Sequence, residues 1–249
     1  MKIDAFFSDY DGTIAPIGVP RDESRIFEGV EVQLKKIGRQ VPLCIVTSKD
    51  FDFVYPRCNF AAGWACVSGL DIRLADGRRF AEKRLADLTR PLEFAKSMEV
   101  EGVLTELKRG PSGELLGLSI DWTEVPELGD SIVENLRTMS GKGIISTYDG
   151  ASPFADFYAA SPDKGKALKE LKRLLGVQGN AMFIGDGPAD NKAFDQAEFA
   201  VGVSHGQALD ELRCEFMVDQ AKLEEFLQSL SDQQMEFTPG PPGVGPKGA

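Results

Sequence analysis

Short apolar runs that lead directly into polar clusters recur along this chain, and they restrict the folds it can adopt. The first, around Phe6-Phe7, ends in Asp9 and Asp11, and later runs end in Thr47-Ser48 and in Asp186. An apolar run bounded by turn residues is typical of a strand buried on both faces of a parallel sheet. Because parallel strands carry their carboxyl ends to one edge, we predict that these polar groups meet there.

Helical segments between these runs complete an α/β pattern. Apolar residues recur at helical spacing after Asp22, and Asp163 can cap a helix whose apolar side includes Leu168 and Leu171. Lys164 falls in the first turn of that helix, where its charge opposes the helix dipole and a bound anion would compensate it. The predicted fold class is α/β, with a Rossmann-like parallel-sheet core and helices on both faces.

A segment of different character interrupts this alternation. It contains two copies of a helix followed by a hairpin, with helices expected over 85–98 and 128–139 and strand pairs over 103–122 and 144–158. We therefore predict an inserted α+β cap domain at 77–157, within a discontinuous core formed by 1–76 and 158–237. The Pro- and Gly-rich segment 238–249 cannot build a core, so it is predicted to be a disordered tail.

Composition restricts the partners of this chain. A formal net charge of -11 disfavours nucleic acid, which is bound through clustered Lys and Arg. No apolar stretch approaches the roughly 20 residues of a membrane span, and no apolar signal segment follows Met1. The four cysteines form no CxxC pair, which fits free thiols in a reducing compartment. We expect a cytoplasmic protein that binds a small phosphorylated metabolite, and neither nucleic acid nor membrane.

Histidine usage restricts the chemistry further. His205 is the only histidine, so a site with several histidine ligands is impossible. No Ser or Cys nucleophile motif precedes it, and we interpret His205 as a loop residue rather than a base. Chemistry in this chain must therefore depend on carboxylates, hydroxyls and lysine.

Carboxylates dominate the predicted edge of the sheet. Asp9 and Asp11 share one face of an extended chain, because side chains at i and i+2 point the same way. Their charges repel each other unless a cation or a shared proton relieves them. Asp186 and Asp190 add two more acids. Several carboxylates without histidine describe a pocket for a hard cation, and Mg²⁺ fits such a set of oxygen ligands.

The order and spacing of these clusters resemble the four motifs of the haloacid dehalogenase superfamily of phosphotransferases. The resemblance extends to about residue 230 and is carried by DYDGT at 9–13, TS at 47–48, Lys164 and GDGPAD at 185–190. The DYDGTIAPI start and the cap resemble the trehalose-phosphate and sucrose-phosphate phosphatase branch. The segments TSKD and DKGKA instead resemble mannosyl-3-phosphoglycerate phosphatases.

The resemblance implies a role for each motif. Asp9 would be the nucleophile that forms an aspartyl-phosphate, and Asp11 would act as general acid and then general base. The residues implied to bind phosphate are Thr47, Ser48 and Lys164. The residues implied to hold Mg²⁺ are Asp9, Asp11 through its carbonyl, Asp186 and Asp190.

The expected activity is therefore a Mg²⁺-dependent phosphatase acting on a small phosphorylated sugar or glycoside similar to trehalose 6-phosphate. Cap residues expected to contact the substrate are Asp156, Arg109 and Tyr148. Asp156 has a positional argument, because it matches a Glu of the trehalose-phosphate phosphatase pattern eight residues before Lys164. Alternatives are a phosphatase for mannosyl-3-phosphoglycerate or another phosphomonoester, a phosphomutase using the same nucleophile, and, outside enzymes, a receiver phosphorylated on aspartate or a silent binding module.

Overall fold

The computed structural model describes residues 1–99, 101–139, 145–147, 153–205, 211–238 and 244–246. The chain divides into two compact units, one formed by Met1–Phe80 with Asp163–Ala249 and the other by Ala81–Pro162. In chain order the strands and helices are β1 (Ala5–Ser8), α1 (Glu28–Ile37), β2 (Leu43–Val46), α2 (Phe51–Val54), β3 (Gly63–Cys66), β4 (Asp71–Leu74), β5 (Arg79–Ala81), α3 (Thr89–Glu99), β6 (Leu104–Arg109), β7 (Leu115–Asp121), α4 (Gly129–Met139), β8 (Ile145–Thr147), β9 (Phe154–Tyr158), α5 (Lys164–Leu175), β10 (Ala181–Gly185), α6 (Asn191–Phe194), β11 (Phe199–Ser204), β12 (Phe216–Asp219), α7 (Leu223–Asp232) and β13 (Val244–Pro246).

The first unit is built on one nine-stranded sheet of order β13-β12-β11-β10-β1-β2-β3-β4-β5. β1 lies between β10 and β2 and pairs in parallel with both, and the parallel pairing continues to β12 on one side and β3 on the other. β4 and β13 pair antiparallel with β3 and β12, and β5 follows β4 at the outer edge. The predicted Rossmann-like class is confirmed. The antiparallel pairing of β4 and β13 was not predicted, because the sequence of so short a strand does not indicate its direction.

The position of β1 is set by burial on both of its faces. Ala5 and Phe7 pack with Leu168 and Leu171 of α5 in one buried apolar cluster. Phe6 points to the opposite face and is also fully buried, as expected for a central strand of a doubly covered sheet. Burying a side chain of this size contributes about 1.5–3 kcal/mol. β1 is therefore a rigid support for the residues that follow it.

The helices in the described chain are short. The longest, α5, has 12 residues and begins as predicted, because the Asp163 carboxylate accepts a hydrogen bond from the Lys166 N–H at 2.8 Å. It ends at Gly176, which adopts the left-handed conformation that commonly stops a helix. None of the helices within the described ranges combines the length and apolar character that crossing a bilayer demands.

The helix predicted to open at Asp22 begins at Glu28 instead. The guanidinium of Arg57 donates hydrogen bonds to the carbonyl oxygens of Ser24 at 2.8 Å and Arg21 at 3.2 Å. These carbonyls are satisfied by a side chain from another element, so this stretch is held as a loop. The helix starts only after it.

The second unit contains a four-stranded antiparallel sheet of order β6-β7-β9-β8. One face of this sheet carries Leu118, Ile120 and Phe157, which pack into a buried apolar cluster with Ala95 of α3 and Ile132 of α4. Each helix therefore covers the sheet through its apolar side, as the helix-and-hairpin pattern indicates.

Part of the predicted tail, residues 239–243 and 247–249, lies outside the described residues. Between these two stretches, Val244–Pro246 form β13, which pairs antiparallel with β12. These three residues are extended and paired rather than unordered, because the edge of the sheet offers free backbone groups to any extended segment. Residues 206–210, which follow His205, also lie outside the described chain.

Candidate active site

Three neighbouring parallel strands end at one edge of the large sheet. β1, β2 and β10 are adjacent in the order of strands, and the chain leaves them into Asp9, Thr47 and Asp186. All three side chains are buried. The sheet therefore brings together residues that are up to 177 positions apart in the sequence, at the edge where open α/β sheets bind ligands.

Asp9, Asp186 and Asp190 form a compact cluster of carboxylates. One oxygen atom from each lies within 4.8 Å of the others, and the three residues are 8%, 8% and 1% exposed. A group of oxygen donors without nitrogen or sulfur suits a hard divalent cation such as Mg²⁺. The donor set of this cluster therefore fits the metal that the sequence motifs imply.

Lys164 contributes the positive charge inside this cluster. Its Nζ lies 3.0 Å from Asp9 Oδ2 and 2.7 Å from Asp190 Oδ1, and its side chain is 4% exposed. The other oxygen of Asp190 accepts the backbone N–H groups of Asp186 at 3.0 Å and Gly187 at 3.1 Å. Both oxygens of Asp190 are thus engaged. Asp190 therefore holds Lys164 through one oxygen and the turn after β10 through the other.

The site has an excess of negative charge. Burial raises the pKa of the Asp9 carboxyl well above its usual range; Lys164 opposes this effect, and the charges of Asp190 and Asp186 add to it. Burial also raises the pKa of Asp186. Burial lowers the pKa of Lys164, but Asp190 and Asp9 outweigh it, so the net pKa is raised and the ammonium is retained. Three carboxylates around one ammonium leave a charge of -2 when ionised, which one divalent cation balances.

A glycine brings the first motif against Asp186. Gly12 has a φ of +73°, and a Cβ on it would overlap the Asp186 carboxylate. The next residue, Thr13, donates a hydrogen bond from Oγ1 to Asp186 Oδ1 at 2.8 Å. The loop after β1 therefore approaches Asp186 as closely as a backbone can, which only glycine permits.

Two contacts to this loop and to Asp186 were not predicted. His205, at the end of β11, has its Nε2 3.5 Å from Asp186 Oδ2. Gln220 donates from Nε2 to the carbonyl oxygens of Gly12 at 2.8 Å and Thr13 at 3.2 Å. Neither residue lies in a recognisable motif. The register of β11 and β12 beside β10 could have indicated them, but that register is not visible in the sequence.

Asp11 is separate from the carboxylate cluster. Its Oδ2 lies 3.7 Å from Lys49 Nζ, its Oδ1 accepts from Ser24 Oγ at 3.4 Å, and its side chain is 30% exposed. The converging carboxylates therefore do not include that of Asp11. A partly exposed carboxyl beside the cluster can exchange a proton with a bound molecule or with water.

The second motif lies on the other side of β1. Thr47 is 1% exposed, and its backbone is held by the Ala65 carbonyl at 2.9 Å and the Ser68 N–H at 2.8 Å. Its Oγ1 accepts the N–H of Lys49 at 3.2 Å, so the hydroxyl proton is directed elsewhere. Ser48, between them, is partly exposed. The end of β2 therefore carries the two hydroxyl residues of the second motif, one buried and one partly exposed.

The candidate cap residues have different environments. Asp156 is 5% exposed and is fully engaged, accepting from Lys108 Nζ, Ser119 Oγ and, at 2.9 Å, from Tyr158 Oη. Arg109 is exposed and donates to the carbonyl of Gly113 at 2.9 Å. Tyr148 lies outside the described residues. Within the second unit, Asp156 is thus one end of a buried ion pair rather than an unpartnered carboxylate.

Comparison with curated proteins finds distant relatives. No family model matches the chain. A trehalose-phosphate phosphatase of Mycobacterium marinum is 25% identical over 251 residues, covering 92% of this chain and 62% of that protein. A Mycobacterium tuberculosis protein described as an uncharacterized glycosyl hydrolase is 24% identical over 215 residues, covering 80% of this chain and 16% of its own length. The chain thus spans less than two thirds of the curated relatives that it matches.

Solved structures match over nearly the whole chain. A trehalose-6-phosphate phosphatase related protein has a TM-score of 0.68 at 18% identity, covering 92% of this chain and 98% of that one. A subclass IIB sugar phosphatase of the haloacid dehalogenase superfamily has 0.63 at 16%, covering 94% and 100%. The C-terminal domain of a C. albicans trehalose-6-phosphate phosphatase has 0.73 at 13%, covering 93% and 92%. This chain therefore has the fold of these phosphatases, as the resemblance implies.

Proposed function

We propose that this protein is a Mg²⁺-dependent phosphatase that hydrolyses a small phosphorylated sugar or glycoside through a phosphorylated Asp9. The observation that carries the proposal is the buried arrangement of Asp9, Lys164 and Asp186 at the carboxyl edge of the sheet. The fold, shared with sugar phosphatases, supports it. A receiver or a silent module would not need a second, partly exposed carboxylate at Asp11.

In the first step, a carboxylate oxygen of Asp9 attacks phosphorus while the bond from phosphorus to the leaving oxygen breaks. Asp11 protonates that oxygen, so the leaving group departs as a neutral alcohol. Lys164 and the hydroxyls of Thr47 and Ser48 hold the phosphoryl oxygens as their charge grows. The ammonium, 3.0 Å from Asp9 Oδ2, also keeps the nucleophile oriented.

In the second step, Asp11 takes a proton from water, and the water oxygen attacks the phosphorus of phosphorylated Asp9. The bond between Asp9 and phosphorus breaks, inorganic phosphate leaves and Asp9 is regenerated. The same carboxyl therefore acts as acid and then as base. Its partial exposure lets water reach it.

Asp9, Asp186 and the Asp11 carbonyl would hold Mg²⁺, supported by Asp190. When bound, the metal would neutralise the buried carboxylates and polarise the phosphoryl oxygens. Thr13 and the turn after β10 restrain Asp186 and Asp190 for this purpose. Burial raises the pKa of Asp9 although Lys164 lies beside it, and a bound cation would lower that pKa and favour the ionised nucleophile.

The proposed substrate class derives from the relatives, whose names include trehalose-phosphate and sugar phosphatases. We propose a core of 1–76 and 158–237 that binds the phosphoryl group, and a cap of 77–157 that selects the rest of the substrate. Of the cap candidates, the exposed Arg109 would take part in that selection, whereas the buried Asp156 would support the cap sheet through its pairing with Lys108. A mannosyl-3-phosphoglycerate phosphatase remains the nearest alternative on the TSKD and DKGKA segments.

The cytoplasm is the proposed location. All four cysteines, Cys44, Cys58, Cys66 and Cys214, are buried thiols. Burial raises the pKa of three of them, Cys44, Cys58 and Cys66, so they are inert core side chains. Such thiols persist in a reducing compartment.

The decisive experiment replaces the nucleophile. Asp9→Asn should abolish release of inorganic phosphate from p-nitrophenyl phosphate with Mg²⁺, while circular dichroism remains that of the wild type. The matched control is Asp232→Asn, an exposed aspartate at the end of α7, which should retain full activity. Equal rates for the wild type and Asp9→Asn would refute the proposal. A phosphomutase would instead leave the phosphoryl group on the organic product.

A further inference from the structure

Four cationic side chains gather beside the loop that follows β1, in a protein with a formal charge of -11. This cation cluster consists of Arg21, Arg25, Lys49 and Arg57. Three of its charges lie around the ring of Phe53, with Arg57 at 3.9 Å, Arg21 at 4.6 Å and Lys49 at 5.3 Å from the centroid. Arg25 joins them because it and Arg57 bind the same carbonyl oxygen, that of Ser24, at 2.9 and 2.8 Å.

Two contacts connect the cation cluster to Asp11. Lys49 Nζ lies 3.7 Å from Asp11 Oδ2. Ser24, whose carbonyl holds Arg25 and Arg57, donates from its hydroxyl to Asp11 Oδ1 at 3.4 Å. Asp11 is the residue proposed to protonate the leaving oxygen. The cluster therefore borders the place where the leaving group of a substrate must lie.

The positive charge of the cluster is only partly compensated. Asp50 accepts two hydrogen bonds from Arg21, at 2.9 and 3.1 Å, and Asp11 faces Lys49. No carboxylate within the described part of the chain pairs with Arg25 or Arg57. Arg57 donates three hydrogen bonds, all to backbone carbonyls, so two of its five N–H groups find no acceptor there.

Electrostatic repulsion agrees with this geometry. Burial lowers the pKa of the Arg57 guanidinium, and the charges of Arg25 and Arg21 lower it further. The acids of the same loop, Asp22 and Glu23, are exposed, and neither forms an ion pair with the cluster within the described chain. A bound anion would relieve this repulsion and accept the remaining N–H groups.

We propose that Arg25 and Arg57, together with Lys49, bind a second anionic group of the substrate, so that the leaving group carries a carboxylate or a second phosphate. This inference depends on the proposed phosphatase function and deepens it. A guanidinium fork suits either anion, because both present two oxygens in one plane. The preferred substrate is then an acidic phosphate ester, unlike the neutral disaccharide of a trehalose-phosphate phosphatase.

Matched pairs of esters test the proposal with Mg²⁺ and the wild-type protein. 2-Phosphoglycerate and glycerol 2-phosphate differ only by a carboxylate in place of a hydroxymethyl group. Fructose 1,6-bisphosphate and fructose 6-phosphate test a second phosphate in the same way. In at least one pair, we expect kcat/KM to be roughly tenfold higher for the ester that carries the additional carboxylate or phosphate. The pair that shows this preference identifies the anion.

Substitutions in the cation cluster test which residues cause this substrate preference. Arg25→Gln should lower the ratio of the two kcat/KM values within the favoured pair by about fivefold or more. The main cause should be a higher KM for the ester with the additional anionic group. Arg57→Lys keeps a charge but loses the fork and should lower the same ratio, provided that its unfolding curve matches the wild type. Arg39→Gln, an exposed arginine after α1 with no ion pair in the described chain, is the control and should leave the ratio unchanged.

The outcomes separate the two proposals. Equal kcat/KM within both pairs, or a preference that Arg25→Gln leaves intact, overturns the anion site while the phosphatase function stands. No phosphate release from these esters or from p-nitrophenyl phosphate refutes the phosphatase function instead. Calorimetric titration of Asp9→Asn with 2-phosphoglycerate and glycerol 2-phosphate then decides the anion site without turnover, since equal affinities for the two ligands overturn it.

Discussion

Lys164 and Asp190 form a buried ion pair of 2.7 Å, 4% and 1% exposed, on which the geometry of the candidate site depends. The same ammonium lies 3.0 Å from Asp9, and the other oxygen of Asp190 binds the turn that carries Asp186. A lysine at the start of α5 thereby links the ends of β1 and β10. Its pKa is raised because the two carboxylates outweigh the cost of burial.

Replacing this lysine should disable the site and weaken the fold. Lys164→Met leaves Asp9 and Asp190 without their cation, and removing one partner of a buried pair typically costs about 3–5 kcal/mol. We expect phosphatase activity to fall by at least about 100-fold, since a charge aimed at the phosphoryl group is lost. Phosphate release and urea unfolding measure both effects. Lys166→Met, exposed on the same helix, is the control, and equal losses in both variants would contradict the prediction.

The raised pKa of Asp9 predicts that the metal-free protein loses stability as pH rises. Between the unfolded value of about 4 and the raised folded value, the folded state holds a proton that the unfolded chain releases, so the free energy of unfolding falls with increasing pH. Asp9→Asn removes this penalty. In EDTA its Tm should exceed that of the wild type at pH 7 by a few degrees, at about 2–4 °C for each kcal/mol, and the difference should shrink at pH 4.

The effect of Mg²⁺ on Tm provides the complementary measurement. Mg²⁺ should raise the Tm of the wild type at pH 7 more than that of Asp9→Asn, because the variant has one carboxylate fewer for the cation. A metal-free Asp9→Asn protein that is less stable than the wild type at pH 7 would show that Asp9 stabilises the fold through Lys164 more than it costs through burial.

Alanine substitutions at Gly12 and Gly18 distinguish the effect of backbone strain from that of contact with the site. Both have a positive φ, +73° and +71°, so alanine at either position costs roughly 1–2 kcal/mol. A Cβ at Gly12 would overlap the Asp186 carboxylate, whereas nothing lies within 4 Å of a Cβ at Gly18. Gly12→Ala should therefore weaken Mg²⁺ binding and reduce kcat/KM by about tenfold or more, and Gly18→Ala should not. Calorimetry with Mg²⁺ and phosphate release distinguish them; similar activity in both would contradict the close approach.

Lys108 and Asp156 should behave as a coupled pair within the second unit. Their side chains are 2% and 7% exposed, and Ser119 and Tyr158 share the carboxylate. We expect Lys108→Met and Asp156→Asn each to lower the free energy of unfolding by about 3 kcal/mol or more, because each leaves a buried charge or donor unpaired. The double variant should lose clearly less than the sum. Urea unfolding of the four proteins measures the coupling, and strict additivity would contradict a direct pair.

The sequence alone was sufficient for the fold class and for the edge at which polar groups gather. Apolar runs around Phe7, Ile45 and Phe183 are short and continuous, and the residue types that follow them specify where a strand must end. Helix α5 was predictable because Asp163 caps it and its apolar residues keep a period of 3.6. These signals depend only on residues close together in the sequence, so they can be recognised without the structure.

The tertiary structure alone decided how the polar groups share their charges. Asp11 is in the motif of Asp9, yet its carboxylate faces Lys49 and not the acidic cluster. His205 and Gln220 reach the site from strands at the far side of β10, and Arg57 holds a loop more than 30 residues before it. Such contacts depend on strand order and on the direction of individual side chains. Neither strand order nor side-chain direction produces a local periodic pattern, so these contacts could not be predicted from the sequence.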